Sequence, residues 1–274
     1  MLELPESRTI SLQAGRTLIN KKIIKVVPAT SAHKFAFYNG DPAGYVNLLT
    51  GRRITSARGH GMFVDICCDE DTWVSVSDGT NMRYYTSSDQ QPEKHQLLLV
   101  LDDGGCVAFT VAMYGGIWAY QGELDNQYHR GSLNSLSPLN DTFDETFFDN
   151  IFRSVTKDIS LKALLATEQR IPGLGNGVLQ DILFNAGLHP KRKKSTLSDT
   201  QKEGLFLSLK KTLKAMTDLS GRDTEKDLFG NSGGYKTLLS KNTVNNPCPG
   251  CGGSISKEAY MGGAVYYCAN CQRL

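Results

Sequence analysis

The sequence predicts an α+β chain in three parts: a β-sandwich over residues 1–135, a helical domain over 136–244 and a metal-held β-hairpin over 245–274. Three observations predict it. Strand-like runs broken by Asp-Gly and Gly-Gly turn signals fill the first part. Beyond Pro138 the apolar spacing changes to a helical period. Four cysteines, Cys248, Cys251, Cys268 and Cys271, close the chain as C-x2-C-x16-C-x2-C, the spacing of two knuckles that clamp one tetrahedral zinc ion.

An early helix is expected from about Ser7 to Ile19. Strands follow at Lys22–Pro28, Met62–Cys67, Thr72–Val76, Gln96–Leu101 and Val107–Met113, with turns at Asp78-Gly79 and Asp103-Gly104-Gly105. Many short strands between such turns read as a sandwich. Ser132–Asp141, with Pro138, is the expected linker. Helices are predicted at Thr142–Ser154, Ser160–Thr167, Asn176–Ala186 and Ser198–Leu219. The last carries Leu205, Leu209, Leu213 and Met216 as one buried stripe, and Thr196 or Ser198 can cap it. Gly221–Gly234 reads as a flexible, functional loop. In the tail, Ser254–Tyr260 and Ala264–Tyr267 are strand-like, joined at Gly262-Gly263. About 30 residues cannot fold on their own core, so the metal supplies the missing stability.

Composition is that of a soluble globular protein, 40% hydrophobic and 21% charged. No apolar run approaches the ~18–20 residues of a membrane span, and the acidic start Met1-Leu2-Glu3-Leu4-Pro5-Glu6 does not read as a secretory signal. Cys67, Cys68 and Cys106 read as reduced core thiols, which points to a cytoplasmic protein. The net charge of +2 is unevenly spread: residues 186–217 hold 8 Lys/Arg against 2 Asp/Glu. Such a patch suits phosphate contact. No Walker loop, His-Glu-x-x-His or serine elbow is present, which removes the common nucleotide and protease classes.

The stretch Ile171-Pro172-Gly173-Leu174-Gly175-Asn176-Gly177 is a glycine-rich turn feeding a helix. With Asn176 as cap, the free N–H groups there suit one phosphate. The helix ends at Gly187 and leads into His189-Pro190-Lys191-Arg192-Lys193-Lys194. A phosphate cradle at one end and Lys191, Arg192 and Lys193 at the other suit a nucleic-acid backbone.

The run Gly173-Leu174-Gly175-Asn176 … Asp181-Ile182-Leu183-Phe184 … Ala186-Gly187-Leu188-His189-Pro190 resembles the helix–two-turn–helix of the formamidopyrimidine-DNA glycosylase / endonuclease VIII family. Cys271-Gln272 resembles the end of that family's zinc finger, and Glu3-Leu4-Pro5-Glu6 its N-terminus. The three landmarks span the chain. The resemblance implies a DNA-repair protein that binds damaged double-stranded DNA, flips a base and excises it, working as a monomer on a duplex with a damaged base, abasic site or gap. It places Lys162 and Asn176 at phosphate contacts, Glu3 at the catalytic carboxylate and Glu6 beside it. Both glutamates also suit plain capping of the first helix.

The chain resembles a divergent member. The family's nucleophile is an N-terminal proline, and Leu2 occupies that position. The Met1 amine would stand one residue, about 3.5 Å, away. A strand lysine of the family falls on His60, the finger-tip arginine on Gly263, and the wedge around Met113-Tyr114-Gly115-Gly116. Three functions stay open: a glycosylase hydrolysing through Glu3 with weak or no β-lyase activity, a bifunctional enzyme using the Met1 amine, and a non-catalytic binder of damaged DNA.

Overall fold

The computed structural model describes residues 2–274, so the Met1 expectation lies outside the described residues. Helix α1 (Leu4–Thr17) starts earlier than the spacing predicts. Pro5 is tolerated in a first turn, and Glu6 accepts the Glu3 amide at 3.3 Å. Then come β1 (Ile23–Pro28), β2 (Ala36–Phe37), a short helix α2 (Tyr45–Leu49), β3 (Ile54–His60), β4 (Phe63–Cys68), β5 (Thr72–Val76), β6 (Thr80–Tyr85), β7 (Leu97–Leu101), β8 (Cys106–Val111) and β9 (Gly115–Gln121). They form a four-stranded sheet, β1-β7-β8-β6, and a five-stranded sheet, β2-β9-β5-β4-β3. Val26, Leu99 and Phe109 from one sheet pack with Val64, Val74 and Ile117 from the other in one apolar cluster, the expected sandwich.

Helix α3 (Gln127–Asn134) occupies part of the segment expected as linker. Asn126 caps it, accepting the Tyr128 and His129 amides at 2.9 and 3.0 Å. The helical half follows: α4 (Glu145–Ser154), α5 (Leu161–Ala166), α6 (Asn176–Asn185) and α7 (Asp199–Asp218). Ser198 caps α7 in a box with Gln201, and its apolar stripe packs against Val178, Leu179, Ile182 and Leu183 of α6. Leu4 of α1 joins this second cluster, so the first helix touches both halves.

Two expectations are corrected here. The loop 221–234 is anchored rather than free: Leu228 is buried in the sandwich core, its amide donates to Gln13 Oε1 at 2.9 Å, and its carbonyl accepts the Tyr84 amide at 2.9 Å. The finger strands are β10 (Ser256–Tyr260) and β11 (Gly263–Tyr267), with Tyr260 paired to Gly263. The turn is therefore Met261-Gly262, both at positive φ (49° and 75°), and Gly263 belongs to the strand.

Candidate nucleic-acid site

The four finger cysteines bring their sulfurs within 4.8 Å of one another, with Cys248–Cys271 at 3.8 Å and Cys251–Cys268 at 3.5 Å. Sulfurs bound at about 2.3 Å around a tetrahedral zinc stand about 3.8 Å apart, so the donor set fits Zn²⁺ as a structural ion. Gln272, which follows the last cysteine, docks the finger. Its Oε1 accepts the Cys268 amide at 3.0 Å and its Nε2 donates to the Leu188 carbonyl at 2.9 Å.

That docking assembles a corner between finger and helices. Lys162 of α5 donates to the Tyr260 carbonyl at 2.6 Å, and Asn176, the first residue of α6, donates to the Ala264 carbonyl at 2.7 Å. A Cβ on Gly263 would stand 3.5 Å from Asn176 Nδ2 and 3.6 Å from Lys162 Nζ. Asn176 Oδ1 is buried without a partner among the described residues, and burial lowers the Lys162 pKa. Lys162 of α5 and Asn176 of α6 thus meet beneath the finger tip.

The neighbouring basic run is tethered. Lys191 pairs with Glu258, Arg192 donates to Gln201 Oε1 at 3.0 Å, and Lys193 donates to the Asp158 carbonyl at 3.2 Å. The reading of Asn176 as helix cap is also corrected, because Gly175 holds that place.

The N–H groups expected to cradle a phosphate are already used. Glu3 Oε1 accepts the Gly177 amide and Oε2 the Val178 amide, both at 2.8 Å. The anion at this helix N-terminus is the chain's own carboxylate. Arg222 lies between the two glutamates, with Nη1 3.4 Å from Glu3 Oε2 and Nη2 2.7 Å from Glu6 Oε2. Its Nε and its backbone amide both reach Glu6 Oε1, at 3.0 and 3.1 Å. Glu3, Glu6 and Arg222 are 1%, 4% and 1% exposed. Burial raises the Glu3 pKa against the opposing pull of Arg222. The two glycines at the start of α6 leave room for these side chains. A Cβ on Gly175 would lie 2.6 Å from Glu3 Oε1, and one on Gly177 would lie 1.6 Å from Arg222 Nη1.

Arg222 escaped the sequence reading because its partners lie more than 200 residues away. A second cluster escaped it too. Asp65 is fully buried and accepts from Ser75 at 2.6 Å, Arg58 at 2.9 Å, His60 at 3.0 Å and His129 at 3.1 Å. Burial opposes its charge, but the two histidines outweigh it and hold the carboxyl below its ordinary pKa. His60 Nδ1 lies 3.0 Å from Ser132 Oγ of α3, so the cluster ties that helix to the five-stranded sheet. With Arg58 on the same oxygen as His60, the carboxylate is filled by donors and the group is structural. Met113 and Tyr114, at the expected wedge, are 60% and 45% exposed at the β8–β9 turn.

No protein-family model matches the chain. It is 27% identical over 285 residues to the formamidopyrimidine-DNA glycosylase of Acidiphilium cryptum and 25% over 289 residues to that of Mycoplasma mobile, each covering 100% of both chains. The Histophilus somni protein of the same name is 29% identical over 179 residues, 64% of this chain and 65% of its own. Among solved structures, MutM (Fpg) of Thermus thermophilus superposes with a TM-score of 0.80 at 22% identity, covering 98% of each chain. Lactococcus lactis Fpg in complex with DNA containing an abasic site gives 0.84 at 22% identity, covering 99% of this chain and 100% of that one. Over its whole length the chain is thus similar to formamidopyrimidine-DNA glycosylases, shares the MutM (Fpg) fold and carries a finger whose cysteines fit zinc.

Proposed function

We propose that this chain binds damaged double-stranded DNA and acts as a base-excision glycosylase of endonuclease VIII type, with weak or no β-lyase activity. The observation that carries the reading is the corner beneath the finger tip, where Lys162, Asn176 and Gly263 converge on a fold shared end to end with DNA-bound Fpg. Its grip is electrostatic: Lys162 and Asn176 take a phosphate, and Lys191, Arg192 and Lys193 flank it. Bound zinc holds the finger in register. The division at residues 135 and 244 belongs to the same proposal, as does a cytoplasmic, nucleoid-associated monomer. No helix among the described residues is long and apolar enough to cross a membrane.

In this reading Glu3 and Glu6 form the negative floor of the site. Two carboxylates around one guanidinium leave a net negative charge, which favours an oxocarbenium-like sugar as its base departs. Both Glu3 oxygens accept backbone amides, so Glu3 acts through its field and position rather than by activating water.

A second reading, a non-catalytic binder of damaged DNA, is favoured by Leu2, which is 4% exposed and packed into the sandwich core where the family has its proline. Borohydride trapping on abasic and oxidised-base duplexes, scored beside base release, separates the readings. Base release without an adduct, lost in Glu3→Gln, supports hydrolysis. An adduct that disappears when the Met1 amine is blocked supports the bifunctional enzyme, and tight binding without product supports the binder.

A further inference from the structure

Between α3 and the outer face of the five-stranded sheet lies an open cleft of about 520 Å³, lined by Arg58, Trp73, Tyr120, His129, Arg130 and Leu133. Strand alternation sets that face. Val64, Ile66 and Val74 point into the sandwich core, so Asp65 of β4 and Trp73 of β5 point the other way. The cleft shares no residue with the finger corner or with the Glu3–Arg222–Glu6 cluster.

Arg58 of β3, paired in register with Asp65, is held there twice. Its Nε donates to Asp65 Oδ2 at 2.9 Å, and Asp65 is fully buried. Its guanidinium carbon stands 4.5 Å from the centre of the Trp73 ring, in cation–π contact. Trp73 is itself fixed, its indole Nε1 donating to Asp71 Oδ1 at 2.9 Å. These contacts set the plane and the rotation of the guanidinium and use one of its five N–H groups. Nη1 and Nη2 have no hydrogen bond or ion pair among the described residues, and the side chain is 46% exposed.

An end-on pair of N–H groups held in one plane matches an oxyanion, either carboxylate or phosphate. Arg130 lies on the opposite lip. Its Nη1 pairs with Asp125 at 2.9 Å, and that carboxylate is 96% exposed, so the partner is exchangeable. Two carboxylates oppose an anion here: Asp71, engaged by the Trp73 indole, and Glu123, exposed at the rim. Net charge therefore attracts nothing, and binding must come from directed hydrogen bonds. That favours phosphate, whose several oxygens can take both guanidiniums at once, over a lone carboxylate.

We propose that Arg58 is a phosphate-binding residue, its fork fixed by Asp65 and Trp73 so that Nη1 and Nη2 take a nucleotide phosphate in this cleft. The phosphate comes from the backbone of bound DNA or from a free nucleotide. The first source rests on the DNA-binding part of the proposed function, and the second does not.

The chain has two tryptophans, so Trp118→Phe leaves Trp73 as the fluorescent reporter beside the fork. Thymidine 5′-monophosphate, an abasic-site duplex and polyglutamate are titrated against it in dilute salt. At least one phosphate probe should shift the Trp73 emission, and Arg58→Gln should weaken that binding about tenfold or more. Arg58→Lys keeps the charge and loses the fork, so it should recover little of the affinity; it also carries the comparison if Arg58→Gln fails to fold. If DNA supplies the phosphate, the slope of log affinity against log salt falls by about 0.9 in the variant. If a free nucleotide supplies it, monophosphate binding is lost and the duplex slope holds. Both phosphate probes bound within about twofold of wild type by the variants, a silent Trp73, or a response to polyglutamate alone overturns the inference. Duplex affinity of the wild type then keeps the DNA-binding reading standing. A wild type without duplex affinity overturns that reading, and the monophosphate titration decides on Arg58 by itself.

Discussion

The basic run beside the finger tip and the ion cluster beneath the N-terminus are both built from charged side chains, yet they differ in their access to water. Lys191 and Glu258 pair at the surface, where the lysine can exchange its carboxylate for solvent or for a phosphate. Arg222 and its two glutamates are buried and can exchange nothing. A solvated pair is worth little and can be traded, whereas a desolvated cation between two carboxylates cannot lose a member without leaving a bare buried charge. The Lys191–Glu258 pair is suited to letting go of its partner for a ligand, and the cluster to holding the N-terminal helix, α6 and the 221–234 loop in one geometry.

The largest effect tests whether the corner depends on the metal. Chelation, or Cys251→Ser, should release zinc and unfold the finger, since apparent metal-binding energies of such modules are on the order of 10 kcal/mol. Elemental analysis, together with loss of the Gln272 and Asn176 docking contacts in amide exchange, reads the outcome. A finger that stays protected without metal would show that the corner is held by packing alone. DNA affinity should collapse with the finger, while the ion cluster stays intact and the sandwich keeps its own unfolding transition.

The next effect probes the cluster. Arg222→Met should cost about 3–5 kcal/mol in chemical denaturation, because two buried carboxylates lose their cation. The sign with pH follows from Glu3. Its folded pKa is raised, so the stability it contributes is fully present below its unfolded value of about 4.3 and is lost as pH rises through the folded value. Without Arg222 that pKa climbs further, so the deficit should be largest near neutrality and shrink as the solution is acidified. A pH-independent loss would mean that Arg222 matters for packing and not for charge.

The contrast between the two regions also explains what the sequence disclosed. The finger, the capped α7 with its leucine stripe and the glycine-rich start of α6 are local patterns, set by spacing, turn chemistry and periodicity within one segment. Lys162 and Asn176 follow from the family resemblance, and the structure brings them together. Arg222 is hidden, because Gly221-Arg222-Asp223 reads as an exposed loop and nothing local signals two glutamates near residue 3. Leu228 is hidden for the same reason: one apolar residue in a charged loop carries no period, yet it is fully buried in the sandwich. Asp65, His60 and His129 come from two strands and from a helix at the edge of the expected linker, so their convergence is tertiary.

A smaller effect belongs to Asn176. Asn176→Ala removes the bond to the Ala264 carbonyl, worth about 0.5–1.5 kcal/mol of stability. It should weaken DNA binding by a similar factor for every sequence, since a phosphate contact carries no sequence information. Titrations of two unrelated duplexes check this, and a loss confined to one of them would remove Asn176 from the phosphate corner.

The smallest effect lies at the surface and is the sharpest test of the exchange argument. Lys191 is held by Glu258, and the Tyr267 hydroxyl also donates to Glu258, so this carboxylate competes with any phosphate for the lysine. Glu258→Gln should free the ammonium, tightening binding a few-fold in dilute salt and steepening the slope of log affinity against log salt by up to about 0.9. Lys191→Ala should leave that slope nearly unchanged if the lysine stays on Glu258 in the complex, and should reduce it by about 0.9 if the lysine crosses to DNA. Running both variants across the same salt series decides between these: a lysine that stays on Glu258 gives a steeper slope in Glu258→Gln alone, and one that crosses gives a shallower slope in Lys191→Ala. Equal slopes in all three proteins would mean that Lys191 takes no phosphate with or without its carboxylate, and the exchange argument would fail.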